Sequence, residues 1–599
     1  MTAQDHFMSI AMMIDDLRAH EREPRVTAMK ALLTISQTLG PERTRTELIP
    51  YITDYLDDDD EVLKAMASAL GVMLPDVGGI PHVGVLLGPL ELLASLDEVT
   101  VRDEAVSSLS LLAGSLFPEA AAAVSEQGQL FLQIIHRLAG NQDSPHSRCS
   151  ACGIIAAPYK NAPAATKKEL KSIFGRLCDD DEAMVRRAAC VALGQSMAKA
   201  LEGSVIEFLG NFSKFCKDAN DSVRLQAIPA AVAICPYLTD TGLAQVIGLV
   251  RSLCADAGWR VRFMMADKLG AICRAWPQKD VMKVGLTMFK SLLKDQSPEI
   301  RASAVFNLDV LVSVLPPEAH KEAVDEACKL HSDTNSHVRN AVAATLLKAA
   351  KDLPRELWAS AVVPTCKALL TDSDAQVRLG LVTGFASIAG GGKEDKAPAS
   401  AGAADAVSQV ATALVPVVAS LAKDPSWRVR EAVVGQLPSI IKGSGPAEKG
   451  RPAAAASAEL VDVVVSSLSD RVATIRNRAA QSCFRLVEKL GCAWAQELLF
   501  PRIFALASSK LYQQRVALLH AVGAIIDAAD AAVVKSDLMP VVARLCADPV
   551  ANVRIAAAKV VRGVQAARKV PAGDVDGLLA KLRADPDVDV RDAAAPPKK

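Results

Sequence analysis

Apolar residues recur along the chain three or four positions apart, which is the spacing of one face of an α-helix. Two consecutive stripes of this kind consist of Val223, Ala227, Ala231 and Ile234, then Leu243, Val246, Ile247, Val250 and Leu253. Short polar stretches separate the stripes, and alternating β-branched runs around Asn-Gly or Asp-Gly turns are not prominent. The pattern therefore predicts antiparallel pairs of amphipathic helices and an all-α fold.

A seven-residue phrase accompanies these pairs: Asp, four variable residues, Val or Ile, then Arg. Its copies begin at Asp180, Asp218, Asp256, Asp295, Asp333, Asp372, Asp424, Asp470, Asp548 and Asp585. Degenerate copies at Arg25, Leu63, Arg102, Arg148 and Arg515 fill the remaining spacing. The result is about fifteen units of about 39 residues, the period of HEAT and armadillo arrays. Because one helix pair cannot bury both of its stripes, we predict an α-solenoid of stacked pairs that forms a curved superhelix.

The recurring Asp and Arg have a structural explanation. The Asp lies in the turn between the helices of a unit, where its carboxylate can accept backbone N–H groups of the second helix. The Arg lies early in that helix, within reach of the Asp of the next unit. We expect a structural ladder along the array, and its members include Asp218, Arg224, Asp256, Arg262, Asp295 and Arg301.

The spacing between copies lengthens at two places in the C-terminal half. Surplus residues rich in Gly, Ala, Ser and Pro occupy 390–406 and 443–457. The phrase resumes after each, so we predict flexible insertions within a single array, residues 1–599. The first insertion separates N-terminal repeats, 1–389, from C-terminal repeats, 407–592, which a short tail, 593–599, follows.

The charge and cysteine content narrow the class of protein. The chain has 67 Lys and Arg against 68 Asp and Glu, a net charge of −1, which argues against nucleic acid or an anionic membrane as the main partner. We expect no membrane span and no signal peptide. The 13 scattered Cys residues are typical of reduced thiols in the cytosol or nucleus.

Motifs that would indicate an enzyme or a cofactor are not found. The sequence has no GxxxxGK[ST], HExxH or GxSxG stretch. His146, Cys149 and Cys152 are spaced along one helical face, but a zinc site would need a fourth ligand, and packing at a helix interface is the favoured interpretation. We therefore predict a protein without a cofactor or metal that is not an enzyme.

Two turns differ from the others in a way that suggests partner binding. Trp259 and Arg260 follow Asp256, and Trp427 and Arg428 follow Asp424, at the same distance from the turn Asp. A turn lies on the edge of a solenoid, and Trp and Arg are frequent in binding hot spots. In the alternative interpretation, each Trp folds onto its own helix pair under a cation–π contact with the Arg.

The chain also resembles a known family, the scaffolding A subunits of serine/threonine protein phosphatase type 2A, which are fifteen-unit HEAT-repeat proteins. The resemblance covers essentially the whole chain and rests on Ile14–Arg18, Glu42–Asp54, Val185–Ala189, Asp221–Leu225, Trp259–Lys268, Trp427–Arg430, Val487–Ala495, Asp548–Arg554 and Asp587–Arg591. There are departures: the twelfth turn reads Arg471-Val472-Ala473 where the family has His-Val-Tyr.

The resemblance implies a non-catalytic scaffold, itself monomeric, that joins a catalytic C subunit to an exchangeable regulatory B subunit in a heterotrimer. It implies a cytoplasmic location, with the nucleus as a second compartment. It implies that the N-terminal repeats, 1–389, bind the regulatory subunit and that the C-terminal repeats, 407–592, bind the catalytic subunit. The positions matching the family's contacts with the regulatory subunit are Arg186, Arg187, Trp259 and Arg260. Those matching its contacts with the catalytic subunit are Trp427, Arg428, Tyr512, Gln514 and Asn552.

Two other classes of HEAT-repeat adaptor remain as alternatives. Nuclear-transport carriers are usually longer and clearly acidic, whereas this chain is near neutral. Tubulin-binding arrays also carry Trp and basic residues in their turns, but they come in blocks of about six units between basic linkers.

Overall fold

The computed structural model describes residues 3–54, 56–119, 123–350, 352–388, 417–443 and 452–596. Within these ranges, regular structure is helical throughout and no strand occurs. The prediction of an all-α fold is therefore confirmed.

The chain forms two compact units, Met1–Pro277 and Gln278–Lys599. The α-helices of the first unit are Ala3–Asp16, Arg22–Lys30, Leu32–Arg43, Ile49–Thr53, Asp60–Val72, Gly84–Leu93, Val99–Leu116, Glu126–Gly140, Pro145–Ile154, Ala156–Tyr159, Ala164–Cys178, Ala183–Ala192, Ala198–Leu201, Leu209–Cys216, Asp221–Ile234, Asp240–Leu253 and Trp259–Ala275. Short 3₁₀ or π segments are Thr44–Leu48, Ile80–His82, Leu193–Met197, Glu202–Phe208 and Cys235–Tyr237.

The second unit continues the same organisation. Its α-helices are Gln278–Asp280, Leu286–Leu292, Pro298–Val305, Leu308–Val314, Pro317–Cys328, Ser336–Ala350, Arg355–Leu357, Val363–Leu370, Ala375–Ile388, Trp427–Gly443, Pro452–Ser467, Ala473–Leu490, Cys492–Trp494, Phe500–Ala505, Tyr512–Ile525, Ala531–Val533, Met539–Leu545, Ala551–Ala567, Ala572–Arg583 and Val588–Ala594. Its 3₁₀ or π segments are Val281–Gly285, Lys329–Ser332, Trp358–Val362, Ala495–Leu499, Leu506–Ser508 and Val534–Leu538.

The predicted insertions fall mostly outside the described residues. Residues 390–406 lie entirely outside them, as do residues 444–451. For residues 452–457, the prediction of a flexible insertion is wrong, because a helix begins at Pro452 and runs to Ser467. Proline is favoured in the first turn of a helix, and the Ala residues that follow have the highest helix propensity. The predicted division into partner-binding regions at 389 and 407 stays a prediction.

The second helices of successive repeats pack side by side and form a buried layer within each unit. In the first unit, Pro145–Ile154 contacts Ala183–Ala192, and in the second unit Ala473–Leu490 contacts Tyr512–Ile525. The Val or Ile of every complete copy of the phrase is 0% exposed: Val185, Val223, Val261, Ile300, Val338, Val377, Val429, Ile475, Val553 and Val590. Because burying such a side chain contributes about 1.5–3 kcal/mol, this position holds each repeat to its neighbours.

Several first helices share a π turn that is followed by proline. The π segments Thr44–Leu48, Trp358–Val362, Ala495–Leu499 and Val534–Leu538 each lead into a helix whose second residue is Pro50, Pro364, Pro501 or Pro540. Proline has no N–H to donate to the preceding turn, so a local widening of the helix is the conformation that it favours. The bend recurs at the same place in different repeats and is part of the repeat geometry.

Candidate partner-binding turns

The turn at Asp256 illustrates how each repeat positions the start of its second helix. Asp256 Oδ1 accepts a hydrogen bond from the N–H of Gly258 at 2.7 Å, which closes the turn just before the helix that begins at Trp259. Arg224 of the preceding repeat donates to the same carboxylate, with Nε 2.7 Å from Oδ2 and Nη2 2.9 Å from Oδ1. Arg224 Nη1 also donates to the carbonyl of Asp218 at 2.7 Å. One Arg therefore fixes the turn of its own repeat and that of the next.

Pairs of this kind, which we call rungs, form the Asp–Arg ladder. In the first unit they are Arg25 with Asp58, Arg148 with Asp180, Arg186 with Asp218, and Arg224 with Asp256. In the second unit they are Arg301 with Asp333, Arg339 with Asp372, Arg378 with Asp424, Arg430 with Asp470, Arg515 with Asp548, and Arg554 with Asp585. The predicted ladder is present within each unit. Arg262 and Asp295 lie on either side of the boundary at Pro277, and each contacts the backbone of its own turn.

The rungs are electrostatically favourable because both partners are largely shielded from water. Hydrogen bonds from Arg224 hold the pKa of Asp256 below its ordinary value of 3.8, against the opposing effect of burial. The hydrogen bond to Asp256 correspondingly raises the pKa of Arg224. The side chains of Arg224 and Asp256 are 15% and 8% exposed, so bulk water screens this pair less than it would a surface ion pair.

Two Arg residues predicted to bind a regulatory subunit occupy different environments. The Arg186 guanidinium donates Nε and Nη2 to Asp218 and Nη1 to the carbonyls of Asp180 and Asp181. Its hydrogen-bonding capacity is therefore used within the ladder, as expected for the Arg of a complete phrase. Arg187 is exposed on the next position of the helix.

The turn at Trp259 carries an exposed aromatic side chain. Trp259 is the first residue of its helix and is 53% exposed. The Arg260 guanidinium lies 5.3 Å from the centre of the Trp259 ring, and its Nη1 is 4.0 Å from Asp221 Oδ2. The Trp is therefore exposed, as the partner-binding interpretation expects, and of the alternative only the cation–π contact with the neighbouring Arg is present.

The second unit repeats this arrangement at Trp427. Trp427 is 41% exposed at the first position of the helix Trp427–Gly443. The Arg428 guanidinium lies 5.2 Å from the centre of its ring. Because the rung from Arg378 to Asp424 fixes the turn beneath it, the pair is held in place before any partner binds.

Tyr512, Gln514 and Asn552 line one groove in the second unit, which has a volume of about 720 Å³. Tyr512 is half-buried at the start of its helix, and Asn552 is exposed near the start of the following second helix. The Gln514 amide oxygen accepts a hydrogen bond from the Ser509 hydroxyl. The structure thus brings together three of the five residues predicted to bind a catalytic subunit, while Trp427 and Arg428 form a separate turn.

Comparison with known proteins relates the chain to one group of relatives. A family model described as HEAT repeat matches residues 414–444. The beta isoform of the human serine/threonine-protein phosphatase 2A 65 kDa regulatory subunit is 44% identical over 387 residues, 63% of this chain and 63% of that protein. The protein phosphatase 2A scaffold subunit of Dictyostelium discoideum is 42% identical over 202 residues, 34% of this chain and 33% of that protein. The chain thus matches about three fifths of the length of the human relative.

Solved structures settle the class of fold. A Kap95p chain, studied for its effect on the switch loops of RanGDP, has a TM-score of 0.57 at 13% identity, covering 99% of this chain and 76% of that one. Yeast importin-beta has a TM-score of 0.51 at 12% identity, with coverage of 99% and 73%. The fold is an α-solenoid of HEAT repeats. At such low identity, the likeness to these carriers concerns the fold alone.

The groove lined by Tyr512 contains further residues that the sequence analysis did not predict to bind a partner. Arg471, Arg476 and Lys559 also line it, together with Leu511, which is 59% exposed. A signal was available, because the degenerate phrase that ends at Arg515 has Ser509 where the complete copies have Asp. Among the described residues, this substitution leaves Arg476 without the carboxylate that the next repeat supplies to the Arg of each rung.

The His and Cys residues noted in the sequence lie at a helix interface in the first unit. His146 Nδ1 is 2.8 Å from Asp97 Oδ1, and the Cys149 thiol donates to the carbonyl of Met184 at 3.5 Å. Burial raises the pKa of Cys149 to about 11, so the thiol is protonated at neutral pH. Among the described residues, no group of His, Cys, Asp and Glu has an arrangement suited to a metal ion. Nor does any helix in these ranges combine the length and apolar character needed to span a bilayer.

Proposed function

We propose that this chain is a non-catalytic scaffold that assembles the catalytic and the exchangeable regulatory subunits of protein phosphatase 2A. It would thereby regulate the dephosphorylation of serine and threonine in proteins, in the cytoplasm and in the nucleus. The observation that carries this proposal is the pair of exposed Trp-Arg turns, at Trp259 and at Trp427, in a chain 44% identical over 387 residues to a human 65 kDa regulatory subunit of phosphatase 2A. The relatives are named as regulatory or scaffold subunits.

The geometry of these turns suits them to bind protein. An exposed Trp is a large apolar surface that loses little conformational entropy on binding, and the Arg stacked beside it adds a hydrogen-bonding edge. The rungs that fix Asp256 and Asp424 hold both turns in one conformation. Binding therefore orders few side chains of the turn, and this small entropic cost favours affinity.

We assign the two turns to different partners. Arg187, Trp259 and Arg260 of the first unit are proposed to contact a regulatory subunit, with Arg186 supporting them from within the ladder. Trp427 and Arg428 are proposed to contact the catalytic subunit, and the groove residues Tyr512, Gln514 and Asn552 are proposed to contact it too. The scaffold is monomeric in this proposal, and the complete assembly is a heterotrimer.

The test compares two matched double variants of the full chain. Trp427→Ala with Arg428→Ala should weaken binding of the catalytic subunit by about 30-fold to 1000-fold, the effect of losing roughly 2–4 kcal/mol at a hot spot. Trp259→Ala with Arg260→Ala should spare binding of the catalytic subunit but weaken binding of a regulatory subunit. Calorimetry with each purified subunit measures both affinities, and thermal melting by circular dichroism checks the fold.

Each double variant is the control for the other. Both remove one exposed Trp and one Arg at the same repeat position, so a general loss of stability would affect the two alike. Unchanged affinity for both subunits, or a large fall in melting temperature, would contradict the assignment. Failure of the unaltered chain to bind a phosphatase catalytic subunit would contradict the proposed function itself.

A further inference from the structure

The Asp–Arg ladder of the second unit is interrupted at Arg476. Arg476 Nη1 donates to the carbonyls of Asp470 and Arg471, at 2.8 and 3.1 Å, as the Arg of every rung does within its own turn. The other rungs add two bonds, from Nε and Nη2 to an Asp of the next repeat, as in Arg430 with Asp470 at 2.9 and 3.2 Å. Arg476 makes no such bond within the described part of the chain, because Ser509 stands at the position of that Asp.

Ser509 otherwise reproduces the Asp of the ladder turn. Its Oγ accepts a hydrogen bond from the N–H of Leu511 at 3.1 Å, the bond that Asp548 Oδ1 accepts from Val550 at 2.9 Å in the next repeat. Its carbonyl accepts from Arg515 Nη1 at 2.7 Å, as in the other turns. The turn is therefore intact, and what is missing is the carboxylate arm that would reach Arg476.

Nε and Nη2 of Arg476, which form the unused edge of its guanidinium, belong to a positively charged groove. Arg471, Arg476 and Lys559 line it, and its one acidic lining residue, Asp470, is already paired with Arg430. The pKa of His520, also in the lining, is lowered by burial first and then by the charges of Lys559 and Arg476. The groove is open to solvent, since Arg471, Leu511, Asn552 and Lys559 are exposed on its sides.

Two other phrase Arg residues lack an Asp partner among the described residues, and neither offers a comparable site. Arg102 in the first unit donates only to the carbonyls of Leu96 and Asp97 and is 7% exposed, so a ligand has little access to it. Arg591 belongs to the last described copy of the phrase. Arg476 differs from both because it combines an unused bidentate edge with an accessible, positively charged groove.

We propose that this groove binds an Asp or Glu side chain of a partner protein, whose carboxylate completes the interrupted rung by accepting from Arg476 Nε and Nη2. The inference rests on the proposed function, and the partner is then the phosphatase catalytic subunit. Arg471 and Lys559 favour an acidic segment over a single acid, and the exposed Leu511 favours an apolar neighbour beside the bound carboxylate. A guanidinium whose remaining donors are fixed in the turn is well prepared for such a planar, two-bond contact.

The experiment restores the internal rung and measures whether the restored rung weakens binding of the partner. Ser509→Asp in the full chain supplies the missing carboxylate and should weaken binding of the purified catalytic subunit by about 10-fold, because an internal Asp occupies Arg476 and repels a second carboxylate. Its melting temperature should equal or exceed that of the unaltered chain, since a rung is added. Arg476→Gln should weaken binding to a similar extent.

Two controls separate the site from general effects of charge and size. Ser508→Asp adds the same charge at the neighbouring exposed position, and Ser509→Asn adds similar bulk without charge. Ser508→Asp should change the affinity by less than about 2-fold. Ser509→Asn should weaken binding less than Ser509→Asp does, because its uncharged amide does not neutralise Arg476 or repel a partner carboxylate, although it too replaces the hydroxyl that donates to Gln514.

The outcomes distinguish the inference from the function on which it rests. If the catalytic subunit binds the unaltered chain and the Ser509→Asp variant equally well, the acidic site is wrong while the scaffold function stands. An equal loss in Ser508→Asp would also overturn the site, because the effect would then be one of general charge. If the unaltered chain does not bind the catalytic subunit, both proposals are wrong.

Discussion

Replacing Asp256 with Ala should destabilise the repeats on both sides of its turn. Asp256 accepts a hydrogen bond from the Gly258 N–H in the turn before the helix Trp259–Ala275, and two more from Arg224 of the preceding repeat. The substitution removes these bonds together and leaves the Arg224 guanidinium, only 15% exposed, without its counter-ion. Since the effect is concentrated at one junction, it should appear as local opening before the rest of the unit unfolds.

The magnitude follows from the contacts. Loss of the hydrogen bond from the Gly258 N–H costs about 1 kcal/mol. Loss of a bidentate, partly buried charge pair, with some access of water to the Arg, costs about 2 kcal/mol more. The total of about 3 kcal/mol corresponds to opening that is about 100-fold more frequent. Asp256→Asn keeps an oxygen for the Gly258 N–H and for one Arg donor, so it should lose about 1 kcal/mol.

Hydrogen exchange measured by mass spectrometry tests this reasoning. Peptides from the helices Asp221–Ile234 and Trp259–Ala275 should exchange faster in Asp256→Ala, whereas those from Arg22–Lys30 should be unaffected. Asp267→Ala is the matched control, because Asp267 lies in the same helix, is 47% exposed and pairs with the adjacent, exposed Lys268. Equal acceleration in both variants, or none in Asp256→Ala, would refute the view that the rung holds the junction together.

Two further predictions concern pH and close packing. The pKa of Asp256 is held below 3.8 in the folded chain, so the contribution of this carboxylate to stability is complete above pH 3.8 and is lost as pH falls through the lower folded pKa. In that acidic range, the melting temperature of the unaltered chain should fall more steeply with pH than that of Asp256→Asn. Gly194→Ala should cost about 1–2 kcal/mol, since the added Cβ would lie 3.0 Å from Ala230 Cα. Gly210→Ala, with nothing within 4 Å, should instead stabilise by about 1 kcal/mol in denaturant unfolding. Equal responses within either pair would contradict these explanations.

Much of the fold could be predicted from the sequence because each repeat has the same apolar spacing and the same Asp and Arg positions. Val261 and Arg224 follow from periodicity alone, and the structure gives them full burial and a rung. The helix start at Pro452 was missed because a run of Gly, Ala and Pro has no apolar periodicity to separate loop from helix. The shared π turns were also missed, although the proline that follows each of them stands in the sequence, because proline near the start of a helix does not by itself distinguish a π turn from an ordinary helix start.

The candidate site was predictable only where an unusual residue type occupies a position of the repeat. Trp259 and Trp427 stand out as rare residues at a repeated position. Arg476 does not, because its own phrase is complete and the change lies 33 residues later, at Ser509. Reading each repeat by itself cannot reveal that a partner group is missing from the next one. Comparing successive repeats at the ladder position does reveal it.

In an array whose consensus residues are all used in packing, the capacity to bind lies in the exceptions. The consensus Val or Ile is 0% exposed in every complete repeat, and the consensus Arg is saturated wherever an Asp follows. Two kinds of exception remain available to a partner: a turn residue with no packing role, such as Trp427, and a consensus residue deprived of its counterpart, such as Arg476. The first contributes apolar surface at the cost of exposing it to water, while the second contributes a positioned charge without altering the backbone. If both face the same subunit, losing either should weaken binding in part, and losing both should reduce it by the sum of the two free energies, provided that the two contacts are independent.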